Sequence, residues 1–248
     1  MSGFHVERNG TTAVVTIDRP KANAIDAATS KAMGHAFAEL DADPAVRAIV
    51  ITGAGPKFFS AGWDLSAGEE FDSDYGVGGF GGFPELPHRA TPVIAAVNGM
   101  AVGGGFEIAM AADLIVASES ASFSDVYARW GLTPVWGLTL RLPHRIGTAK
   151  ASEMLLTSRT YSGLEAQAMH LANFCFPDGQ FETELTALCA SIAANSWFAN
   201  QVIKRALIET DGLTLRHAYA LDLFKNEGLA PDAAKRVTKF LKRRDPKA

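Results

Sequence analysis

Residues 92–112 constrain the fold more than any other part of the sequence. They read PVIAAVNGMAVGGGFEIAMAA, in which a short apolar run passes through an Asn-Gly turn and a glycine triplet into a run at helical spacing. A strand that enters a helix in this way leaves backbone N–H groups without intrahelical partners at the start of the helix. Short strands and helices alternate on both sides of this stretch, which predicts an α/β fold.

Glu107 is the one acid in the predicted helix. A carboxylate among apolar residues tends to have a raised pKa, which suits a general acid or base. The structural alternative is that Glu107 is partly exposed or paired with an arginine. Glu107 follows Gly104 by one helical turn, so that the base and the N–H donors of Gly103 and Gly104 can face one pocket. This pattern predicts proton abstraction next to a carbonyl whose oxygen takes up negative charge.

A second turn, in residues 58–65 (FFSAGWDL), can supply another backbone donor. If Gly62 brings the chain up to the same oxygen, an N–H from Ala61 or its neighbours completes an oxyanion hole. Loss of one such donor typically costs about 2.7 to 4 kcal/mol of transition-state stabilisation.

Three motifs together resemble the crotonase (enoyl-CoA hydratase/isomerase) superfamily, and the wording is most similar to the carnitinyl-CoA dehydratases. They are residues 19–25 (RPKANAI), 59–65 (FSAGWDL) and 98–107 (NGMAVGGGFE). The resemblance implies a spiral of ββα turns and a helical C-terminal region that builds trimers, often paired into hexamers. It implies an acyl-CoA thioester as substrate, with coenzyme A entering as part of the substrate and no separate cofactor.

The resemblance also implies site residues. The oxyanion-hole amides fall at Ala61 and Gly104, and Glu107 matches one catalytic glutamate. The expected contacts to coenzyme A and the acyl group are Ala22, Ala24, Ala61, Gly62, Trp63, Asp64, Gly103, Trp130 and Trp136.

The sequence departs from the family pattern at the second catalytic glutamate, where it has Tyr127. The Pro-Gly-x-Gly-Gly run that follows in typical members is replaced by residues 134–138 (PVWGL), which predicts a bulkier, more aromatic acyl pocket. Glu107 could act alone with Tyr127 orienting water, although a phenol is a poor base at neutral pH. Asp125 could replace the lost acid, since residues two apart on a strand share a face.

Several functions therefore stay open. A dehydratase-like lyase ranks first, and a decarboxylase, hydrolase or isomerase of an acyl-CoA follows, because an oxyanion hole and a tyrosine can suffice for other routes to the enolate. A different class of function is a non-catalytic acyl-CoA binding protein.

An acidic, glycine-rich stretch that ends near Pro84 predicts a mobile loop. Its GVGGFG run matches GxGxxG but follows no strand, so a dinucleotide site is rejected. The aromatic residues of the loop could enclose an acyl group together with Trp63, Trp130 and Trp136, and their faces would attract a quaternary ammonium. These loop residues are Phe71, Tyr75, Phe80 and Phe83.

Length and composition bound the remaining properties. The 248 residues predict a spiral core in residues 1–194 and a helical region in residues 195–248. Two cysteines and six scattered histidines predict no metal site. A net charge of −4 argues against nucleic acid as a partner, and the lack of a leader or an apolar span predicts a cytoplasmic protein without a membrane segment. The basic C-terminal tail is either a solvated face or a contact to the phosphates of coenzyme A.

Overall fold

A computed structural model describes residues 3–70, 73–86, 89–221 and 228–244. Its larger sheet has the strand order β1-β2-β3-β5-β7-β10. The first pair is antiparallel and the other neighbours are parallel. The strands are β1 (Phe4–Asn9), β2 (Thr12–Ile17), β3 (Ala48–Gly53), β5 (Val93–Val97), β7 (Leu114–Ser118) and β10 (Phe174–Phe176).

A smaller sheet, in the order β4-β6-β8-β9, carries the strands that lead into the site. They are β4 (Phe58–Ser60), β6 (Met100–Val102), β8 (Ser122–Ser124) and β9 (Tyr161–Ser162). Each of the strands β3, β5 and β7 is followed along the chain by a strand of this sheet. At one of these crossings, the Asn98 side chain donates hydrogen bonds to the carbonyls of Gly53 and Gly55, both at 2.8 Å. This repeated crossing between two sheets confirms the predicted α/β crotonase-like spiral.

Polar side chains cap the N-termini of several described helices, including the one predicted at Asp26. Asp26 accepts a hydrogen bond from the Thr29 N–H at 2.7 Å and begins α1. Ser162 and Glu165 form a capping box at α5. The helices are α1 (Ala27–Ala42), α2 (Gly104–Ala111), α3 (Leu138–Ile146), α4 (Thr148–Thr157), α5 (Gly163–Ala168), α6 (Phe181–Ala194), α7 (Trp197–Glu209), α8 (Leu215–Ala220) and α9 (Ala233–Arg244).

Apolar residues fill both faces of the larger sheet. The main core lies among the two sheets, α1 and α2. On the opposite face, α6 covers β3, β5 and β7 with its stripe of Leu185, Leu188, Cys189 and Ile192, as the helical spacing predicts. Within the described residues, no helix combines the length and apolar character that crossing a bilayer requires.

The described part of the glycine-rich stretch is not an open surface loop. Within residues 73–86, Tyr75, Phe80 and Phe83 are all buried. The glycines allow the backbone of this part to pack closely against α1 and α2. Its burial was not expected, and its mobility stays a prediction.

Candidate active site

Glu107, on α2, is completely buried and accepts three hydrogen bonds. Its Oε2 accepts from the Tyr127 hydroxyl at 2.8 Å. Its Oε1 accepts from the N–H groups of Trp136 at 2.9 Å and Leu138 at 3.0 Å. The structural alternative of a partly exposed or arginine-paired Glu107 is wrong, since neutral donors satisfy this carboxylate. Burial raises the pKa of Glu107 even though the three hydrogen bonds oppose the shift.

Tyr127 begins a short 3₁₀ helix, Tyr127–Trp130, three residues after the last residue of β8. Because β8 ends at Ser124, Asp125 and Tyr127 do not share a strand face, and that premise for Asp125 as a replacement acid is wrong. Asp125 Oδ1 instead accepts the Tyr127 N–H at 3.1 Å. Burial raises the pKa of Asp125. Burial, followed by the neighbouring Glu107, raises the pKa of Tyr127 well above its ordinary value, so this hydroxyl is protonated in the resting site.

Gly104 begins α2, and the turn at Gly62 lies against it. Gly103 has φ +51° and donates its N–H to the Ser124 carbonyl at 3.0 Å. A Cβ placed on Gly62 would lie 2.5 Å from the Gly104 nitrogen. The two turns proposed to form an oxyanion hole therefore do meet, and only glycine permits so close an approach.

The Ala61 N–H does not point into this space. It donates to the Ala22 carbonyl at 3.0 Å, and the Gly62 N–H donates to Ser60 Oγ at 3.0 Å. The assignment of the oxyanion donor to Ala61 is therefore wrong in this structure, because that N–H has an acceptor within the fold.

The segments expected to contact coenzyme A run side by side. The Ile25 N–H donates to the Gly62 carbonyl at 2.7 Å, and the Asp64 N–H donates to the Ile25 carbonyl at 3.0 Å. The segment that holds Ala22 and Ala24 thus lies beside the segment that holds Trp63, and the Ala22 carbonyl accepts a hydrogen bond from the Ala61 N–H. Arg19 ties this edge to the fold through Asp64 at 3.0 Å and through Asp26.

Three aromatic side chains pack in front of Gly104. The Phe80 and Trp136 rings stack with centroids 4.1 Å apart, and Tyr75 meets both edge-on at 5.4 Å. Residues 134–138 thus contribute the side chain of Trp136 to this cluster. The bulkier, more aromatic acyl pocket expected from these residues stays a prediction. Each of the two stacked rings covers one face of the other, and both side chains are buried, which leaves little exposed ring surface for a quaternary ammonium.

The other predicted aromatic residues lie elsewhere. Trp130 is 69 % exposed and stands outside this cluster. Phe83 packs against Phe37 of α1, with ring centroids 4.6 Å apart and the ring planes tilted by 37°. Phe71 falls outside the described residues.

Sequence reasoning missed two polar residues that hold the site together. Ser60 Oγ donates to the Asn23 carbonyl at 2.7 Å and accepts from Gly62, so it sets the Gly62 turn. Arg141 donates to the carbonyls of Trp136 at 2.9 Å and Pro84 at 3.0 Å. Ser60 lies within a recognised motif, but no sequence pattern signals the role of Arg141.

Comparison with known proteins finds relatives that match nearly the whole chain. A family model described as enoyl-CoA hydratase/isomerase matches residues 7–247. A carnitinyl-CoA dehydratase from Salmonella paratyphi A is 41 % identical over 252 residues, which cover 98 % of this chain and 97 % of the relative.

Solved structures extend the match to the whole fold. An enoyl-CoA hydratase from Mycobacterium marinum superposes with a TM-score of 0.89 at 35 % identity, covering 98 % of this chain and 97 % of that one. One from Bacillus anthracis gives 0.88 at 26 % identity, covering 97 % and 96 %. The chain belongs to the enoyl-CoA hydratase/isomerase (crotonase) family.

Proposed function

We propose that the protein is an acyl-CoA lyase that adds water to, or removes it from, an enoyl or 3-hydroxyacyl thioester. The observation that carries this proposal is the 2.8 Å hydrogen bond between buried Tyr127 and Glu107, next to the N-terminus of α2. A base with a raised pKa, a neutral proton donor and a backbone oxyanion site are the groups that this reaction needs.

In the hydration direction, Glu107 takes a proton from water while the water oxygen bonds to the β-carbon of the thioester. The resulting enolate takes the Tyr127 hydroxyl proton at its α-carbon, and Tyr127 regains a proton from Glu107 through their hydrogen bond. The net change is the addition of water across the double bond, and both side chains return to their starting states. A phenol is a sufficient acid here because a thioester enolate carbon is far more basic.

We assign the oxyanion donors to the N–H groups of Gly104 and Trp63. Gly104 is the first residue of α2, where the helix provides no acceptor for its N–H. Trp63 is a neighbour of Ala61. Trp63 forms a parallel β-bridge with Ile25, in which the hydrogen bonds are made by the Gly62 carbonyl and the Asp64 N–H. Because these two groups flank Trp63 and point towards Ile25, the Trp63 N–H points to the opposite side of the segment.

Mass spectrometry of the protein incubated with crotonyl, crotonobetainyl, methylmalonyl and β-keto esters of coenzyme A tests the function. A gain of one water on an enoyl ester supports the lyase. Loss of carbon dioxide or release of free acid would instead assign a decarboxylase or hydrolase. Tight binding with no change in any ester would assign the non-catalytic binder.

Glu107→Gln tests the assigned base. Glutamine keeps the shape of the side chain but cannot accept the proton, so turnover should fall by about 10² to 10⁴-fold while the affinity for the thioester is kept. Glu39→Gln, at an exposed position on α1, is the matched control and should leave turnover unchanged. Equal turnover in both variants would contradict the role of Glu107.

We also propose that the chain assembles as a trimer or hexamer through its C-terminal region. The apolar side chains of Leu207, Leu215 and Phe240 on α7, α8 and α9 are all more than half exposed, a pattern that favours a contact between subunits. Light scattering on the purified protein would detect the oligomer, and a monomer at micromolar concentration would contradict it.

A further inference from the structure

We propose that the acyl site admits only a short acyl chain, because the stacked rings of Phe80 and Trp136 close it directly in front of Gly104. The inference rests on the proposed function only in taking the thioester oxygen to lie at the Gly104 N–H. It concerns the length of the acyl group, which the family membership leaves open.

The rings stand immediately against the first residue of α2. A Cβ placed on Gly104 would lie 2.7 Å from Phe80 Cε1 and 3.2 Å from Trp136 Cζ3. These distances leave no room for a methyl group between the Gly104 backbone and the rings. The Trp136 ring also lies beside the proposed catalytic pair, with its centroid 6.4 Å from that of Tyr127. We therefore place the two rings on the acyl side of the Gly104 N–H, within a few atoms of the thioester.

Phe80 cannot retreat from this position without moving two helices. The next residue, Gly81, donates its N–H to Ser30 Oγ on α1 at 2.8 Å. A Cβ on Gly81 would lie 2.4 Å from Ile108 of α2, and one on Gly82 would lie 2.5 Å from the Gly34 nitrogen of α1. Gly81 and Gly82 thus hold the backbone that follows Phe80 in close contact with both helices.

Trp136 is held from both sides of its backbone. Its N–H donates to Glu107, and its carbonyl accepts from Arg141, which also binds the Pro84 carbonyl of the glycine-rich segment. A backbone shift that moved Trp136 away from Gly104 would break a hydrogen bond to the proposed base. The hydrogen bond from the Trp136 N–H to Glu107 therefore also holds Trp136 in its position beside Gly104.

Affinity for saturated acyl thioesters measures this limit without requiring turnover. In an open apolar pocket each added methylene strengthens binding about fourfold, so octanoyl-CoA would bind far more tightly than butanoyl-CoA. In a closed pocket the additional methylenes gain nothing. Isothermal titration calorimetry of the full-length protein with both esters gives the ratio of the two dissociation constants.

Trp136→Ala and Phe80→Ala each remove one of the two stacked rings. Phe80→Leu is a milder variant if the alanine variants fold poorly. Phe83→Ala is the matched control, since Phe83 belongs to the same segment and is equally buried but faces Phe37. We expect wild type and Phe83→Ala to bind octanoyl-CoA no more tightly than butanoyl-CoA. We expect the Trp136 and Phe80 variants to bind octanoyl-CoA at least ~10-fold more tightly.

Either of two binding results would overturn the proposal. One is a wild-type protein that binds octanoyl-CoA ~10-fold more tightly than butanoyl-CoA, and the other is a Phe83→Ala variant that shifts the ratio as much as Phe80→Ala does. If the expected ratios are found but no enoyl ester is hydrated, the proposed function fails while the chain-length limit stands. Hydration of octenoyl-CoA as fast as crotonyl-CoA would leave the function standing and reject the limit.

Discussion

At the scale of single residues, Tyr127 and Glu107 form a hydrogen-bonded pair in which only Glu107 carries a negative charge. The family resemblance places a second glutamate at the position of Tyr127, and two close carboxylates would compete for a proton. Here the pKa of Tyr127 is raised, so the phenol stays neutral and donates to Glu107. This donation favours the ionised form of Glu107 and opposes the effect of burial.

The pH dependence of hydration follows from the raised pKa of Glu107. The ionised carboxylate takes the proton from water, so kcat/KM should fall as the pH is lowered through a pKa above that of an ordinary glutamate. Tyr127→Phe removes a donor that lowers this pKa, and the acid limb of the residual activity should move to higher pH. Tyr75→Phe, a buried tyrosine of the aromatic cluster, is the control. An unmoved acid limb in Tyr127→Phe would contradict the coupling of the pair.

At the scale of elements, Arg141 joins two segments that are far apart in the chain. It extends from α3 to the carbonyl of Trp136, just before that helix, and to the carbonyl of Pro84 in the glycine-rich segment. Backbone carbonyls in such a place need a donor, because buried acceptors without one are costly. The arginine fork satisfies both carbonyls at once and so holds the two aromatic segments together.

Arg141→Met should loosen the glycine-rich segment more than the rest of the protein. Two carbonyls lose their donor, which should cost about 1 to 3 kcal/mol of unfolding free energy. Amide hydrogen exchange should accelerate mainly in residues 73–86. Arg145→Met changes another arginine of α3, whose bond to Asn173 is exposed, and should leave that exchange unchanged. Uniform acceleration across the chain in Arg141→Met would argue against a local role.

At the scale of the whole molecule, Lys204 links the C-terminal region to the core. This buried lysine of α7 donates to the Thr91 carbonyl at 2.5 Å and pairs with Asp113 at 2.8 Å. Asp113 also accepts the Val93 N–H, at the start of β5. Burial lowers the pKa of Lys204, and the nearby Asp113 opposes that shift. The Lys204 side chain thus links α7 to the segments that precede β5 and β7 of the larger sheet.

Lys204→Met should destabilise the protein substantially. It leaves the Thr91 carbonyl without this donor and Asp113 without its partner, at a cost of roughly 2 to 4 kcal/mol. Urea unfolding at a fixed protein concentration measures the loss. Lys235→Met, at an exposed position on α9, should change stability by only about 0.5 kcal/mol. Similar losses in both variants would show that burial of Lys204 is not the cause.

Local sequence patterns sufficed for much of the fold. The cap at Asp26, the stripe on α6 and the strand, glycine and helix order around Gly104 were all predicted, because turn chemistry and periodicity act over a few residues. Glu107 was identified for the same reason, as a single acid in an apolar helix. The burial of the glycine-rich segment was not predicted, because its glycines serve contacts with α1 and α2, which are remote in the chain.

The sequence by itself determined the family, the α/β class and the identity of the buried acid, since these depend on residue type and short-range spacing. Only the tertiary structure decided which groups Glu107 meets, that Ala61 donates to Ala22, and that Phe80 stacks on Trp136. Arg141 and Lys204 acquire their roles in the same way. Such contacts join residues tens of positions apart, and their geometry depends on how the sheets and helices pack, which no local pattern encodes.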